Sequence, residues 1–395
     1  MECVQESGLE ALLESRKPNW SLPQPFYTSP EIHDADMEVF RHNWLFAGFE
    51  CRLKKPGDWL TFELGSDSLI IIRGDDGEVR ALHNVCRHRG SRICLNSAGH
   101  SNKIVCPYHQ WVYDARGALC SAHDMADGFD RSAFGLKQAR VRVVTGLVFV
   151  ALSEDAPDFE PFARNVAAFA APHELHRARV ACEKVYRVKA NWKLVVENSR
   201  ECYHCPAGHP GYTRVMLGAE PEDGRQRVAG YEACGLRTKR VVGPWYSMSR
   251  YPTARREFVT QSLDGKPVAP PMGRFTTHDN GVMGFSTFPN LMTGSPSDYS
   301  AMYRFTPLHA TETLAEVFWL VREDAVEGRD YDLEKLTAFW KDVSEEDWKL
   351  CEDNQAGVNS PAYEPGPYAS GESDTERFVL WYLGEIKSRL AEHRR

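Results

Sequence analysis

The feature that most constrains the fold is a pair of cysteine–histidine motifs on two short stretches of the chain. Cys86 and His88 lie in NVCRHRG, Cys106 and His109 lie in CPYHQW, and 17 residues separate His88 from Cys106. These four side chains reach a common metal centre only if two loops meet at their tips. We therefore expect a small domain of short strands and turns to be built around that meeting point.

Two thiolates and two imidazoles are the ligand set of a Rieske [2Fe-2S] cluster, in which the histidines replace cysteines on one iron and raise the reduction potential. The same residue types also bind structural zinc. The spacing within each pair, the closing Gly90, and the Pro107-Tyr108 and Gln110-Trp111 flanks, which would shield a redox centre from water, favour the cluster. The sequence thus predicts a [2Fe-2S] cluster bound by Cys86, His88, Cys106 and His109.

A second group of metal-binding residues lies in NWKLVVENSRECYHCPAGHPGY, where His204 and His209 are five residues apart. The spacing predicts a helix over 191–205, which Pro206 ends. Residues five apart on an unbroken helix point in different directions. A turn after His204 would let His209 come back toward the same metal.

The predicted helix also places Glu197 and Glu201 on the same face as His204, because i, i+3 and i+4 neighbours align. Two histidines and one carboxylate that leave adjacent positions open form the facial triad of non-heme Fe(II) sites that bind O2. A further carboxylate ligand is therefore required, and we look for it later in the chain.

The stretch SEEDWKLCEDNQAG, within helices predicted over 333–343 and 345–356, is rich in carboxylates. We choose Asp347 as the third iron ligand. Ser344 followed by Asp347 is also a capping-box spacing, so Asp347 could instead satisfy a helix N-terminus. Spacing alone does not distinguish Asp347 from Glu346.

The pattern of predicted strands, helices and turns along the sequence indicates an α+β protein. Residues 57–155 read as short strands joined by turns, and the rest mixes helices with strands in Gly- and Pro-containing loops. We predict an N-terminal segment over 1–40 that packs on the catalytic domain, a small all-β cluster domain over 41–155 and a larger α+β domain over 156–395.

Charge and cysteine content exclude several classes of function. The net charge is -8 without a basic block, which disfavours nucleic acid and anionic membranes as partners. No leader pattern and no apolar run long enough for a bilayer is present, so we expect a cytoplasmic protein. Eleven cysteines, an odd number and several beside histidines, argue for metal chemistry over a disulfide scaffold.

With these motifs in place, the chain resembles the Rieske oxygenase α-subunit family. Within that family it resembles the quaternary-ammonium group, which includes glycine betaine, stachydrine (proline betaine) and carnitine oxygenases. The resemblance runs from SLPQPFYTSPEI through NVCRHRGSRIC, CPYHQWVY, NWKLVVENSRECYHC and EEDWKLCEDNQAG, and it weakens between about 215 and 340. It implies a small all-β Rieske domain and a helix-grip catalytic domain, an antiparallel sheet wrapped by helices.

The resemblance also assigns roles to residues. It implies that His204, His209 and Asp347 bind the mononuclear iron. It further implies a symmetric homotrimer in which Glu201 bridges the cluster of one subunit, at His109, and the iron of its neighbour. The bridging carboxylate is usually Asp in ring-hydroxylating members, so Glu201 favours the quaternary-ammonium group. From the residues alone, Glu201 is equally an i, i+3 contact that orients His204.

No dinucleotide-binding, flavin or plant-type ferredoxin motif is present, so a separate flavin- or ferredoxin-type reductase must deliver electrons from NAD(P)H. The resemblance implies O2-dependent N-demethylation of a betaine, of the glycine betaine, stachydrine or hydroxyproline betaine type, with release of formaldehyde. A ring-hydroxylating dioxygenase acting on an aromatic substrate is the alternative. Aromatic faces would bind a quaternary ammonium by cation–π attraction. The candidates are Trp245, Tyr246, Tyr251, Phe285 and Trp319.

Overall fold

The computed structural model describes residues 2–393, with the side chains of residues 8–391. Residues Arg41–Pro157 form one compact unit. The residues up to Phe40 and those from Asp158 onward form the other. We describe these as the cluster unit (Arg41–Pro157) and the catalytic unit (all other described residues).

The cluster unit is a β structure. Its strands are β1 (Leu45–Phe49), β2 (Asp58–Leu64), β3 (Asp67–Arg73), β4 (Val79–His83), β5 (Ala98–His100), β6 (Ile104–Val105), β7 (Val112–Tyr113), β8 (Leu119–Ser121), β9 (Gln138–Val144) and β10 (Leu147–Ala151). Seven of them form a sheet of order β1-β10-β9-β4-β3-β2-β5, and β6-β7-β8 form a second, three-stranded sheet. β3 is apolar at successive positions and buried through its centre, as expected of a strand covered on both faces.

The cluster motifs lie where strands end. Cys86 follows β4, and Cys106 directly follows β6, with β7 returning after it. Ile70, Trp111 and Tyr113 belong to the buried apolar core that also contains both cysteines. The sheets therefore present two loop tips whose inner side is a packed core.

The catalytic unit contains the larger sheet. Its strands are β11 (Ala178–Val188), β12 (Val241–Val242), β13 (Tyr246–Tyr251), β14 (Val282–Thr287), β15 (Leu291–Gly294), β16 (Ser300–His309) and β17 (Glu312–Arg322). They pair antiparallel throughout in the order β11-β17-β16-β15-β14-β13-β12. A long segment over 252–281, between β13 and β14, has no regular helix or strand.

Helices lie before, between and after the strands of the larger sheet along the chain, and several of the site residues lie on or next to them. They are α1 (Glu2–Ser15), α2 (Pro25–Thr28), α3 (Pro30–Arg41), α4 (Glu160–Ala170), α5 (Trp192–Asn198), α6 (Cys205–Gly208), α7 (Pro210–Met216), α8 (Pro221–Ala233), α9 (Leu333–Val358) and α10 (Ser373–His393). Short 3₁₀ turns occur at Glu50–Arg52, Arg131–Phe134, Ala171–His173, Leu175–Arg177 and Ser370–Glu372. The predicted α+β class, with a small β domain and a larger antiparallel domain, is confirmed. Between residues 2 and 393, no helix is both long and apolar enough to span a bilayer.

Two helix predictions were wrong. The helix predicted over 191–205 ends at Asn198, where the Ser199 hydroxyl donates back to the Val196 carbonyl at 2.7 Å. The helices predicted over 333–343 and 345–356 are one helix, α9, capped at its start by Asp332. Ser344 lies inside it and donates to the Trp340 carbonyl at 2.6 Å. The capping role considered for Asp347 is therefore excluded, because that residue lies in mid-helix.

Candidate metal centres and substrate cavity

The two cluster loops use the same backbone turn. The carbonyl of Cys86 accepts from the Gly90 N–H at 3.0 Å, and the carbonyl of Cys106 accepts from the Gln110 N–H at 3.0 Å. Gly90 has φ +80° and Gln110 has φ +56°. A left-handed conformation is natural for glycine and uncommon for glutamine, so the second loop is held in place by its surroundings. The two matched turns present one cysteine and one histidine each.

The four predicted cluster ligands come together in the cluster unit. Cys86 and Cys106 are buried, and the His88 and His109 rings lie with centroids 4.6 Å apart. The Tyr113 hydroxyl lies 3.3 Å from Cys86 Sγ. Burial raises the pKa of the Cys86 thiol, and the Tyr113 hydrogen bond partly offsets that rise. This donor set fits a [2Fe-2S] cluster with its thiolates on the core side.

The histidine side of this site faces outward. His88 is exposed and His109 is half-buried. The buried Trp111 ring stacks on His88 with centroids 4.9 Å apart and planes 10° apart, and Tyr108 covers His109 at 3.8 Å. A redox group bound here would be protected from water on the core side and would remain close to the protein surface on the imidazole side.

The predicted iron ligands also converge, in the catalytic unit. His204 lies just before α6, His209 lies just before α7, and Asp347 lies on α9. Their metal-facing atoms form a triangle: His204 Nε2 to His209 Nε2 is 3.1 Å, His209 Nε2 to Asp347 Oδ1 is 2.9 Å, and His204 Nε2 to Asp347 Oδ1 is 3.3 Å. Ligands at right angles with bonds of about 2.1 Å are about 3 Å apart. The triangle therefore fits one face of an octahedral metal ion.

Each triad histidine has a carboxylate on its outer nitrogen. Glu201 Oε1 lies 2.5 Å from His204 Nδ1, and Glu346 Oε2 lies 2.7 Å from His209 Nδ1. Such partners fix the tautomer and the ring orientation of a metal-bound histidine. The two neighbouring carboxylates differ in position: Asp347 faces the inner nitrogens of both histidines, and Glu346 faces the outer nitrogen of His209.

The carboxylates around the triad favour positive charge on its two histidines. Burial lowers the pKa of His204, but its hydrogen bonds with Asp347 and Glu201 outweigh burial and raise that pKa to about 9. Burial raises the pKa of Asp347, and both histidines outweigh it and lower that pKa. Because the pocket stabilises cations, a divalent metal ion suits it.

Two cysteines beside the triad were not anticipated from the sequence. Cys202 and Cys205 form a disulfide, and Cys205 Sγ lies 3.9 Å from His204 Nε2. The prediction that the cysteines do not form a disulfide scaffold is unaffected, because one link across three residues closes only a local turn. The CxxC spacing was the available signal.

A cavity of about 340 Å³ opens beside the triad. Its wall includes all three triad residues and four aromatic residues, Tyr212, Tyr251, Phe285 and Trp340. The Tyr212 ring centroid is 6.4 Å from that of His209 and 6.2 Å from that of Trp340. A side chain at Gly284 would meet the Tyr251 ring at 3.3 Å, so glycine there leaves room for the tyrosine. The cavity is large enough for a small ligand.

Of the five aromatic residues predicted to bind substrate, Tyr251 and Phe285 line the cavity and the other three do not. Trp245 packs in the core against Phe162 with centroids 4.8 Å apart. Tyr246 accepts a hydrogen bond from Asn165, and Trp319 is fully buried in β17, paired with strands on both sides. These three predictions are corrected because Trp245 and Tyr246 pack against Phe162 of α4 and Trp319 is enclosed within the larger sheet.

Sequence reasoning missed the other two rings of the wall. Tyr212 lies three residues after His209 on the next short helix, and Trp340 lies seven residues before Asp347 on α9. Both spacings correspond to one side of a helix, so helical periodicity from the metal ligands was a usable signal. A third missed residue, Arg200, lines the same cavity.

Comparison with known proteins gives two family matches. The Rieske [2Fe-2S] domain matches residues 43–137, and the ring hydroxylating alpha subunit (catalytic domain) matches residues 175–387. The chain is 38% identical to the glycine betaine monooxygenase oxygenase subunit of Chromohalobacter salexigens, covering 96% of this chain and 88% of that protein. It is 36% identical to the subunit of the same name from Pseudomonas aeruginosa, covering 96% and 92%.

A solved structure has the same fold. The quaternary ammonium Rieske monooxygenase CntA, in complex with an inhibitor, aligns with a TM-score of 0.75 at 24% identity over 95% of this chain and 98% of that chain. The family uses a [2Fe-2S] cluster and a mononuclear iron, and an oxygenase subunit draws its electrons from a separate partner. The chain belongs to the Rieske oxygenase α-subunit family.

Proposed function

We propose that this chain is the oxygenase component of a monooxygenase that N-demethylates a quaternary ammonium betaine, of the glycine betaine, stachydrine or hydroxyproline betaine type. The observation that carries this proposal is the cavity beside the triad, whose wall is lined by four aromatic residues. A quaternary ammonium has no N–H to donate, so ring faces are the groups that attract it. The names of the two betaine monooxygenase relatives support the same substrate class.

We assign the iron to His204, His209 and Asp347, supported by the triangle of their inner atoms. The [2Fe-2S] cluster is assigned to Cys86, His88, Cys106 and His109. The bound metals would supply O2 activation and electron storage. The protein's own part is to hold a methyl group of the ammonium near the triad, to fix the imidazoles through Glu201 and Glu346, and to keep bulk water from the rings.

The proposed reaction balances as follows. The N-methyl group, O2, two electrons and two protons give an N-hydroxymethyl ammonium and water. The hydroxyl then loses its proton and the C–N bond breaks, which gives formaldehyde and a tertiary amine. The electrons come from NAD(P)H through a separate reductase, of a type that the sequence does not identify.

The alternative, hydroxylation of an aromatic ring, has less support in this cavity. Its wall contains a buried arginine, Arg200, and a carboxylate, Asp374, besides the triad. A neutral aromatic ring would leave the buried guanidinium of Arg200 without an anion. A zwitterionic betaine carries both charges and can pair with positive and negative groups of the wall.

Oxygen uptake with formaldehyde detection tests the substrate class. Anaerobically purified, iron-loaded protein is supplied with a surrogate reductase and NADH, and with glycine betaine, stachydrine, hydroxyproline betaine, carnitine or choline in turn. Formaldehyde equal to the O2 consumed is expected with a betaine. If O2 uptake is coupled to none of them, while the reduced protein keeps its Rieske EPR signal, the aromatic alternative replaces this proposal.

We also propose a homotrimer in which Glu201 bridges the iron of one subunit and the cluster histidine His109 of another. The support is that both centres lie near exposed aromatic side chains: Tyr108 is 56% exposed next to His109, and Tyr203 is 71% exposed between Glu201 and His204. Tyrosine is enriched at protein–protein interfaces, which is consistent with a subunit contact at these two loops. A cytoplasmic location remains a prediction.

Co-expression of two inactive variants tests this arrangement. Cys86→Ala subunits lack the cluster, and His204→Ala subunits lack the iron site. In randomly mixed trimers, electron transfer between subunits would restore about a quarter of wild-type turnover, because about one interface in four joins a working cluster to a working iron site. Each variant alone is the control. Inactivity of the mixed trimers would contradict transfer between subunits.

A further inference from the structure

A buried arginine lines the cavity without a carboxylate partner. Arg200 is 9% exposed and lies just after α5, where the chain turns toward the triad. Its Nε is buried and has no hydrogen-bond partner within the described residues. Its Nη2 donates only a long hydrogen bond, 3.4 Å, to the Leu291 carbonyl, and its guanidinium lies over the Phe288 ring at 5.2 Å.

The charges around Arg200 do not balance it. Arg377 lies over the same Phe288 ring at 4.7 Å. The nearby carboxylate, Asp374, accepts hydrogen bonds from Arg240 and from Arg377, the latter at 3.3 Å. Burial and the charge of Arg377 lower the pKa of Arg200 to about 9, although Asp374 partly opposes this shift. A buried guanidinium beside a second one is costly unless an anion joins them.

We propose that Arg200 binds the carboxylate of the substrate. This inference rests on the proposed function and deepens it, because it selects quaternary ammonium compounds that carry a carboxylate. The Nε is enclosed by protein, so the terminal nitrogens Nη1 and Nη2 are the ones that can meet a ligand in the cavity. Nη2 makes only the one long hydrogen bond, and the two terminal nitrogens together match the two oxygens of a carboxylate.

The cavity as a whole has the polarity of a betaine. The aromatic residues of the wall form a region that attracts cations, and Arg200 on the β15 side attracts anions. The ammonium would then lie among the rings with a methyl group toward the triad, and the carboxylate would lie against Arg200. Choline shares the ammonium but has no carboxylate, so it would leave Arg200 unpaired.

A purely structural role makes a different prediction. If Arg200 serves only to pack on Phe288 and to bond the Leu291 carbonyl, its replacement disturbs the cavity for every ligand. Losses for glycine betaine and for choline would then be similar. A carboxylate-binding role lowers the affinity for glycine betaine alone, so the ratio of the two affinities separates the hypotheses.

The experiment is isothermal titration of the anaerobic, iron-loaded holoenzyme with glycine betaine and with choline. For Arg200→Gln we expect the Kd of glycine betaine to rise about 10- to 100-fold, as for loss of a hydrogen-bonded charge, and the Kd of choline to change less than about threefold. Arg200→Lys keeps the positive charge but loses the planar guanidinium, so its Kd for glycine betaine should lie between those of the wild type and Arg200→Gln. In turnover, KM for glycine betaine should rise more than kcat falls.

Arg179→Gln is the matched control. Arg179 is a half-buried arginine of β11 whose Nε also has no partner and whose Nη2 donates to the Tyr331 hydroxyl at 2.6 Å, and it does not line the cavity. The affinity ratio should be unchanged in this variant. An unchanged ratio in Arg200→Gln would overturn the proposal. If that variant does not fold, Arg200→Lys decides: an unchanged ratio overturns the proposal, and a fall in the preference for glycine betaine supports it.

The two proposals fail separately. Absence of formaldehyde from every betaine with wild-type protein would overturn the proposed function. Coupled demethylation by wild-type protein, together with an unchanged affinity ratio in the Arg200 variants, would overturn only the role of Arg200.

Discussion

The two metal centres of this chain are built in opposite ways. The cluster ligands span 24 residues, from Cys86 to His109, on two loops that share one turn geometry. The iron ligands span 144 residues, from His204 to Asp347, and meet only because α9 packs beside the segment after α5. The ligands of a local centre can therefore be predicted from their spacing in the sequence. A non-local centre depends on tertiary packing.

Their surroundings differ as well. In the cluster unit the imidazoles face outward and rest on aromatic rings, and hydrogen bonding from Tyr113 reaches the buried sulfur. In the catalytic unit both imidazoles are held from behind by carboxylates, Glu201 and Glu346. The first arrangement suits a group that exchanges electrons at a surface. The second suits an ion whose open positions must face an enclosed cavity.

The largest expected effect tests whether the two centres are independent. Cys86→Ala should abolish the cluster absorbance and turnover while iron stays at the triad, because the ligand sets share no residue. His204→Ala should show the reverse, with full cluster absorbance, no bound mononuclear iron and no turnover. Visible spectra with metal analysis of each variant measure this. Loss of both metals in either variant would show that the centres fold together.

The next effect separates the two neighbouring carboxylates. Asp347→Ala should lose the mononuclear iron, because one corner of the triangle is removed. Glu346→Ala should retain it with an affinity about 10- to 100-fold lower, as for loss of a group that orients a ligand. Iron titration after chelation measures both. Iron loss in Glu346→Ala with retention in Asp347→Ala would reverse the assignment.

Glu201→Gln tests the proposed bridge between the centres. The amide keeps the size of the side chain but weakens the hydrogen bond to His204 Nδ1, since a charged acceptor becomes neutral. Both metals should remain, and single-turnover product formation should slow about 100-fold on loss of a charged hydrogen-bond partner. A wild-type single-turnover rate would remove the bridging role.

Glu197→Gln probes the interior behind the triad. Burial raises the pKa of Glu197 to about 7, although Tyr27 and Tyr368 donate hydrogen bonds that oppose the rise. Because the folded state holds this proton more tightly than the unfolded state, wild-type stability should fall as pH rises from about 4 to 7, by up to about 3 kcal/mol. The glutamine variant should lack this slope. Urea unfolding at pH 5, 6 and 8 compares the two proteins.

The smallest effect concerns the cluster unit. Tyr113→Phe removes the hydroxyl 3.3 Å from Cys86 Sγ. Hydrogen bonds to the sulfur ligands stabilise the reduced cluster, so its reduction potential should fall by about 40 mV for a bond of about 1 kcal/mol. Protein-film voltammetry measures the shift, with Tyr108→Phe as the control. An equal shift in both variants would exclude a specific bond.

The comparison also explains what could be predicted from the sequence. The cluster ligands were predicted from two spacings because they follow strand ends within one small unit, on neighbouring stretches of the chain. For the iron site, both histidines were found from spacing, and Asp347 was chosen from the resemblance. The helix thought to align Glu201 with His204 ends at Asn198, so their contact comes from an irregular turn that no periodicity describes.

The cavity was the least predictable part. Trp245 and Trp319 were chosen as aromatic residues in a β-rich region. The order and register of the strands decide which side chains are packed, and the sequence of a single strand does not give either of them. Arg200 could not be chosen from the sequence, because only the packed structure shows that its Nε has no hydrogen-bond partner.

The length of α9 has a consequence for insertions and deletions. Trp340 and Asp347 lie seven residues apart on this 26-residue helix, about 10.5 Å along its axis. One added residue between them would turn one side chain by about 100° relative to the other, and the cavity wall and the triad would no longer share a face. Changes in chain length are therefore expected to avoid the stretch of α9 between these two residues.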